Sequence, residues 1–380
     1  MAQKEKTGCA GAEPDAGTWR LPEYHPPDFE VEPLASAPCA RTAPAPADGV
    51  APDNFHATSN YPEYVRLGDG DWGLVAESRM DCVLTVLNRT VEAVEFRRLQ
   101  RGASVVLGRS EDGSEGIYVH TEGFTGSSGA STDKFAFRTR GTRETPFSRS
   151  YEDLYDLLRY ERAHGGYVCW VLGPAVAFDK DSRLAMQKLI ENGYCQALLA
   201  GNALATHDLE AACFQTGLGQ DIYTQALKPK GHYHHLMVLN NARRAGSMRQ
   251  LIDDLGIRDG IMHACEKHDI PTVLAGSIRD DGPLPEVIPD VYAAQDAMRV
   301  HARKATTVIA LATQLHAIAF GNMTPGYRVV PDGAVRPVYF YIVDMSEFGA
   351  DKLANRGSSQ VCAILTNVQD FMINLGRNLE

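Results

Sequence analysis

The sequence predicts an α/β protein with a Rossmann-like parallel sheet domain and a smaller β-rich N-terminal domain. Two observations favour this fold class. After residue 150, short runs that are apolar on both faces alternate with helical segments. Between about residues 60 and 140, short β-rich runs are instead broken by Gly and Asp turns.

The first 55 residues differ from the rest in composition. They hold nine of the twenty prolines and show no apolar periodicity that could bury one face. We therefore expect residues 1–55 to form a disordered or surface-draped extension. The N-terminus also lacks the apolar stretch of a signal peptide, which favours a cytoplasmic protein.

Residues 56–140 predict the small β-rich domain. Its candidate strands are residues 82–87, 104–107 and 116–119. Residues 68–73 match the GxGxxG pattern by letter, but their two aspartates would repel a pyrophosphate and no apolar strand precedes them. We interpret this segment as a turn.

Residues 141–380 predict the Rossmann-like domain. A helix begins near Ser150 and Asp153, which have capping-box spacing. Five candidate strands follow, at residues 167–172, 195–200, 272–275, 338–343 and 361–365. The apolar stretch 306–323 contains polar residues and is short for a membrane span, so we interpret it as a buried helix.

The residues after the candidate strands indicate a ligand site, because ligands of open parallel sheets bind beyond the carboxyl ends of the strands. In chain order, the residues that come directly after the five strands are Gly173 and Pro174; Gly201, Asn202 and Ala203; Gly276 and Ser277; Asp344; and Thr366 and Asn367. Glycines allow close backbone approach, and an acid at a strand end can accept ribose hydroxyls. The set predicts a dinucleotide crevice, although each glycine alone is also typical of a simple turn, and Asp344 of a helix cap. No GxGxxG fingerprint opens this sheet, so the binding mode is expected to be atypical.

Five residues are candidates for catalysis. Asp280 and Asp281 lie in a proline-stiffened loop after a candidate strand, where a carboxylate could transfer a proton or bind an ammonium group; the alternative is a solvated turn. His232 and His235 could contact the substrate or transfer protons. Cys265 is a weaker candidate, because its helical spacing with neighbouring residues favours burial.

The remaining histidines and cysteines allow a cofactor contact but give no pattern of a metal site. His316 could contact a cofactor or could be a hydrogen-bonded core residue. No metal site is expected, since the His232 and His235 segment has no carboxylate or Cys at ligand spacing. The eight cysteines include no CxxC pair, and no GxSxG elbow indicates a serine hydrolase.

The net charge limits the partners. With 37 Lys and Arg against 48 Asp and Glu, the formal charge is -11, which repels nucleic acid and anionic membrane surfaces. We therefore expect neither as a partner.

Long segments from about residue 135 onward resemble one family, the archaeal-type ornithine cyclodeaminases, which share a lysine-ketoglutarate reductase and saccharopine dehydrogenase (LOR/SDH) region. The segments include GGYVCWVLGPAV, ENGYCQALLAGNALATHDLEAA, GIMHACEKHDIPTVLAGSIRDDGPLPEV, LATQLHAIAFGNM and DKLANRGSSQ. The resemblance implies a Rossmann-like NAD domain, similar to modules in the C-terminal half of cyanobacterial enzymes that degrade arginine and yield proline.

The resemblance also implies which residues contact NAD. They are Asn202, Ala203, Asp281, Thr313, Leu315, His316, Asn322, Met323 and Asp344. Gly276 and Ser277 join this set because they follow a candidate strand. The sequence around His232 and His235 differs from the motif that is usual in the family, so the resemblance does not fix the identity of the substrate.

The resemblance implies an NAD-dependent cyclodeaminase that converts ornithine, or a close basic amino acid, to a proline-like imino acid with release of ammonia. In such a redox-neutral cycle, hydride leaves the α-carbon, the side-chain amine attacks the resulting imine, and the hydride returns after ammonia has left. Two alternatives stay open: an NAD-dependent amino-acid or imine dehydrogenase, and a non-catalytic NAD-binding protein. We expect a small-molecule amino-acid substrate and a homo-oligomer.

Overall fold

The computed structural model describes residues 19–125, 147–278, 280, 282–345 and 361–379, without the side chains of residues 125, 147–150 and 315. Within these residues the β-rich part comes first. Its strands are β1 (Glu23–Tyr24), β2 (Arg41–Pro44), β3 (Glu63–Gly68), β4 (Asp71–Leu74), β5 (Glu77–Ser78), β6 (Cys82–Leu87), β7 (Thr90–Glu95), β8 (Ser104–Leu107), β9 (Ile117–Val119) and β10 (Phe124–Thr125).

These strands form small antiparallel sheets around an apolar core. The largest has the order β2-β8-β6-β7, and a second has the order β4-β3-β9. Val65, Leu84, Val106 and Ile117 are fully buried in one cluster contributed by both sheets. Val83 and Val105, which point to the other face of the four-stranded sheet, are fully buried in a second apolar cluster, so this sheet is covered on both faces.

Part of the predicted extension joins this β-rich region. Strand β2 lies within residues 1–55 and pairs with β8 at the sheet edge. Leu34 and Ala37 are buried, and the Arg66 guanidinium donates a hydrogen bond to the main-chain oxygen of Ala37. Residues 19–55 thus follow a path along the folded region, while the bounds at residues 55 and 140 stay predictions.

The second part alternates strands and helices. Its first half contains α1 (Phe147–Ala163), β11 (Val168–Leu172), α2 (Lys180–Glu191), β12 (Ala197–Gly201), α3 (Asn202–Phe214), β13 (Thr216–Gly217), β14 (Gln220–Asp221), α4 (His234–Ala245), α5 (Met248–Leu255) and α6 (Ile261–Lys267). Its second half contains β15 (Thr272–Ala275), α7 (Val291–Ala302), β16 (Thr307–Leu311), α8 (Gln314–Met323), β17 (Tyr327–Val329), β18 (Val335–Pro337), β19 (Tyr339–Asp344), β20 (Val361–Leu365) and α9 (Val368–Asn378). Three short 3-10 helices are Phe96–Arg98, Pro174–Ala177 and Gly231–Tyr233.

Six of these strands form one parallel sheet with the spatial order β15-β12-β11-β16-β19-β20. Numbered along the chain, this order is 3-2-1-4-5-6, which is typical of dinucleotide-binding Rossmann sheets. The order reverses between β11 and β16, where Leu172 pairs with Leu311. The predicted α/β fold class with a Rossmann-like sheet is confirmed.

The interpretation of residues 306–323 as one buried helix was wrong. The structure divides this stretch into strand β16 and helix α8. Ala312 between them has φ 47, a left-handed conformation that interrupts both element types. Periodicity could not separate the two elements, because a short strand buried on both faces and a buried helix are both continuously apolar.

Helices cover both faces of the sheet. One face packs against α1 to α6 and α9 through a large apolar cluster that includes Trp170, Leu198 and Phe371. The other face packs against α7 and α8. Among the described residues, no helix is long and apolar enough to cross a lipid bilayer.

The two parts of the chain contact each other beneath α8. Strand β17 pairs with both β18 and β5, so the β-rich part continues into a strand contributed from residue 327 onward. Arg79 donates to the main-chain oxygen of Asn322 at the end of α8. Glu95 accepts from Arg299 of α7 at 2.6 Å.

Candidate functional site

The carboxyl edge of the sheet is tightest where the strand order reverses. A side chain at Gly173, directly after β11, would collide with the main-chain oxygen of Ala312, directly after β16. Glycine therefore permits the two strand ends to approach each other. The left-handed backbone of Ala312 costs about 1–2 kcal/mol for a residue with a Cβ, and such strain is concentrated at functional sites.

Two helices begin at this edge without a side-chain cap. The N-cap residues are Gly201 for α3 and Thr313 for α8, and neither makes a side-chain capping hydrogen bond. In contrast, the side chain of Asp179 caps α2 and that of Ser247 caps α5. Helices α7 and α9 are likewise capped by the side chains of their own N-cap residues. Uncapped backbone N–H groups at a helix N-terminus are suited to phosphate oxygens. The two helix starts at the crevice can therefore receive a pyrophosphate.

Asn202, the first residue of α3, connects the crevice to the loop after β15. Its side-chain oxygen accepts hydrogen bonds from the Leu284 amide at 3.0 Å and from the Thr206 hydroxyl at 3.2 Å. The same loop is closed at its start, where the Gly276 amide donates to the Ile288 oxygen at 2.8 Å. Within the loop, the Asp280 carboxylate accepts from the Ser277 amide at 2.8 Å. The loop that carries Asp280 is thus fixed against the start of α3.

His316 reaches the same place from the opposite face of the sheet. A Cβ at Gly201 would lie 2.9 Å from the imidazole of His316, so the absence of a side chain at Gly201 permits this approach. Burial lowers the pKa of His316, and the negative charge of Asp280 partly opposes that shift. A neutral imidazole beside a carboxylate can donate one hydrogen bond and accept another.

The structure brings most of the predicted cofactor residues to this edge. They are Asn202, Ala203, Gly276, Ser277, Thr313, His316 and Asp344, which lie at strand ends or in the first turns of α3 and α8. Asp280 lies among them, while Asp281 and the side chain of Leu315 lie outside the described residues.

Asn322 and Met323 do not lie at this edge. They end α8, which starts at the carboxyl edge and returns along the sheet, so they are about 12–14 Å from its first residue at 1.5 Å per residue. Met323 is 3% exposed and packs in the core, and the main-chain oxygen of Asn322 binds Arg79. We therefore leave both residues out of the cofactor site.

The remaining catalytic candidates occupy different environments. His232 is exposed on a short 3-10 helix, next to the ring of Tyr233. His235 is half-buried on α4, and its Nδ1 is buried without a partner among the described residues. Cys265 is buried in the core, where burial raises the pKa of its thiol well above the ordinary value. A thiol that stays protonated is a poor nucleophile, so these observations give Cys265 no catalytic role.

One polar network was missed from the sequence. His207 and Glu210 lie three positions apart on α3, and His207 Nδ1 is 2.8 Å from the Glu210 carboxylate. Thr216 donates to the same carboxylate at 2.9 Å and lies 2.8 Å from Nδ1 of His234. The signal was present in the THDLE segment, since residues three apart on a helix are neighbours, but it lay within an otherwise ordinary helical pattern.

Across the described ranges, no group of three or more His, Cys, Asp or Glu side chains is arranged to hold a metal ion.

Comparison with protein families gives a match over most of the Rossmann part. The family described as "Arginine dihydrolase ArgZ-like, C-terminal, Rossmann fold" matches residues 153–375. An ornithine cyclodeaminase of Methanopyrus kandleri is 38% identical over 346 residues, which cover 90% of this chain and 78% of that protein.

Two solved structures are similar to the whole described architecture. A LOR/SDH protein of Methanococcus maripaludis is 34% identical with a TM-score of 0.79, covering 90% of this chain and 98% of the other. AgrE, solved as a ternary complex with ornithine and NAD+, is 32% identical with a TM-score of 0.56. The match with AgrE covers 92% of this chain and 47% of the other, so this chain spans about half of that protein's length.

Proposed function

Because the chain belongs to the ArgZ-like C-terminal Rossmann-fold family, together with archaeal ornithine cyclodeaminases, we propose that it is an NAD-dependent cyclodeaminase. Its substrate is ornithine or a close basic amino acid, and its products are proline, or the corresponding cyclic imino acid, and ammonia. The observation that carries this proposal is the similarity to proteins named ornithine cyclodeaminase over most of both chains.

The residues at the carboxyl edge fit NAD. The uncapped starts of α3 and α8 offer backbone N–H groups to the pyrophosphate, and Asp344 at the end of β19 can accept ribose hydroxyls. Asn202, Ala203, Gly276, Ser277, Thr313 and His316 would complete the contacts. We also retain Asp281 and Leu315 as proposed contacts on the basis of the family resemblance.

NAD supplies a hydride acceptor and donor for a substrate carbon when it is bound. The chain's own residues then have two tasks: to hold the substrate in a reactive orientation and to move protons between its two amino groups. Asp280 is fixed by the Ser277 amide and lies near His316. We propose that its carboxylate, with that of Asp281, binds a substrate ammonium group.

The overall reaction needs no added oxidant or base. One amino group of the substrate loses a proton before it attacks, and the other gains a proton before it leaves as ammonia. The protein therefore returns to its starting protonation state after each cycle, and the cofactor returns to its oxidised form.

Mass spectrometry of the products tests the proposal. The purified chain is incubated with NAD and separately with ornithine, lysine, 2,4-diaminobutyrate and arginine, and ammonia is assayed in parallel. We expect a cyclic imino acid and ammonia in equal amounts from ornithine, with no net change in absorbance from NADH.

Other outcomes would replace the proposal with a defined alternative. Accumulation of NADH in proportion to product would show an amino-acid dehydrogenase. Tight NAD binding with no product from any of the four amino acids would indicate a non-catalytic NAD-binding protein. Agmatine, which carries no α-carboxylate, serves as the negative control substrate.

A further inference from the structure

His207 lies in the second turn of α3, directly below the proposed cofactor contact Ala203. The two residues are four positions apart, so their side chains lie on one helix face with Cβ atoms about 5–6 Å apart. The Cα–Cβ bonds of a helix tilt toward its N-terminus. The imidazole of His207 is therefore directed toward the carboxyl edge of the sheet, where Ala203 is exposed.

Glu210 fixes the orientation of this imidazole. Its fully buried carboxylate is 2.8 Å from His207 Nδ1 and accepts hydrogen bonds from the Thr216 hydroxyl and from the amides of Leu218 and Gly219. Burial by itself would raise the pKa of Glu210, but these hydrogen bonds outweigh burial and lower it. An ionised Glu210 accepts a hydrogen bond from Nδ1–H, so in the neutral imidazole the lone pair of His207 is on Nε2.

The surroundings of His207 leave Nε2 available. The ring packs 5.1 Å from the Phe178 ring, which follows the end of β11, and 6.2 Å from the ring of His235 on α4. The side chain is 10% exposed, and its hydrogen bond with Glu210 is made by Nδ1, not by Nε2. The titratable groups in contact with the ring are Glu210 on its own helix and His235 on α4.

A buried histidine with Nδ1 held by a carboxylate and with a free Nε2 is arranged for proton transfer. The Nδ1 of the neighbouring His235 is buried and has no partner among the described residues, although buried polar groups in folded proteins are almost always hydrogen-bonded. This unpaired atom beside the His207 ring indicates that a polar ligand completes the cluster.

We propose that His207 is a catalytic residue that transfers a proton between the two amino groups of the substrate, with Glu210 as its positioning residue. The inference rests on the proposed cyclodeaminase function. Nε2 accepts a proton from the side-chain ammonium group, whose nitrogen lone pair then forms the new C–N bond. The new bond places the imine's π electron pair on the former α-amino nitrogen, which takes the surplus proton of the ring nitrogen and then the proton held by the imidazolium. Ammonia leaves as the lone pair of the ring nitrogen forms the C=N bond of the cyclic imine.

The test compares His207→Gln with His234→Gln in the full chain. His234 belongs to the same network through Thr216 and stacks on Phe214, but the proposal gives it no chemical role. For His207→Gln we expect kcat for ornithine to fall by about 100-fold or more. The amount of NAD bound to the protein and its melting temperature should not change. The limb of the pH–rate profile that reports a basic group should disappear in His207→Gln and persist in His234→Gln.

A measurement on the unaltered chain covers the case in which His207→Gln does not fold. Diethyl pyrocarbonate modifies histidine, and peptide mass spectrometry locates the modified residue. The rate at which turnover is lost should equal the rate at which His207 is modified. Added ornithine should slow the loss of turnover and the modification of His207 alike. Glu210→Gln should shift the pH–rate profile rather than abolish turnover, because it removes the charge that positions His207.

Two kinds of failure remain distinguishable. Near-normal kcat and an unchanged pH–rate profile in His207→Gln, or inactivation that does not follow modification of His207, would overturn the role of His207. Absence of turnover by the unaltered chain on every diamino acid would instead overturn the proposed function.

Discussion

At the carboxyl edge of the sheet, single residues set the electrostatics of the crevice. His316 is buried, and burial disfavours its charged form. Asp280 lies close enough for its negative charge to oppose this lowering of the His316 pKa. Because Gly201 leaves room for the imidazole, the pair can lie directly beside the start of α3.

This coupling predicts the effect of Asp280→Asn. A carboxylate stabilises the imidazolium form, so removing its charge should lower the pKa of His316 further. Turnover should fall by about 100-fold or more if the carboxylate binds or relays a proton of the substrate. Histidine-selective NMR titration measures the pKa, and steady-state kinetics measures the turnover.

Asp254→Asn is the control for Asp280→Asn, because it removes the same charge from an exposed position on α5. It should leave both the His316 titration and the turnover unchanged. An unchanged His316 titration in Asp280→Asn would show that the two side chains do not interact in solution.

At the scale of elements, one side chain links the start of α3 to the loop between β15 and α7. Asn202 accepts from the Leu284 amide, and Leu284 itself is 1% exposed. The loop is also fixed at its far end, since Glu286 accepts from the Met248 amide at the start of α5 at 2.5 Å. Asp280 is therefore positioned by contacts that lie outside its own immediate sequence.

Two substitutions at Asn202 separate its structural task from its contact with cofactor. Asn202→Ala removes the acceptor, and the lost hydrogen bonds should cost about 1–3 kcal/mol of unfolding free energy and weaken NAD binding. Asn202→Asp keeps an acceptor oxygen but adds a negative charge near the pyrophosphate. It should retain the melting temperature and lose NAD affinity about tenfold or more, because like charges repel.

Urea denaturation and NAD titration calorimetry measure the two effects. If Asn202→Asp binds NAD as tightly as the unaltered chain, then the pyrophosphate does not lie at the start of α3.

Strand β2 is a second element with a testable contribution. It forms the edge of the four-stranded sheet, and the segment before it supplies buried Leu34 and acceptors for Arg66. A chain that begins at residue 47 should melt about 5 °C or more below a chain that begins at residue 19, since each lost buried hydrogen bond costs about 1 kcal/mol. Equal melting temperatures in differential scanning calorimetry would show that β2 adds no stability.

For the whole molecule, contacts beneath α8 link the β-rich part to the cofactor-binding part. Arg79 binds the end of α8, and Glu95 binds Arg299 of α7. The start of α8 lies at the crevice, so the β-rich part supports the helix that carries His316 from its opposite end. The β-rich part is therefore linked to the cofactor site through α8.

NAD binding should therefore stabilise the whole chain. NAD at 100 times its Kd should add about 2.7 kcal/mol to the free energy of unfolding, and the protein should retain NAD through purification because a redox-neutral cycle does not exchange it. Thermal denaturation with and without NAD, and nucleotide analysis of the denatured protein, measure both. A melting temperature that does not respond to NAD in cofactor-free protein would contradict the assignment of the crevice.

The sequence by itself determined the features that depend on local pattern. Apolar runs followed by small or polar residues predicted a parallel sheet with Asn202, Gly276 and Asp344 at the ends of its strands. The structure has these three residues at strand ends. Local periodicity is sufficient for this, because a strand buried on both faces requires a continuous apolar run. The family resemblance was likewise carried by contiguous segments and was confirmed.

Tertiary structure alone decided which residues share a site. Strand β16 could not be distinguished from a helix by its composition, and with it the point of strand reversal was hidden. The direction of α8 separates Met323 from the crevice, whereas the packing of α3 against the ends of β11 and α4 brings His207 beside Phe178 and His235. These relations join residues distant in sequence, and they depend on how helices and strands pack in space, which no local pattern encodes.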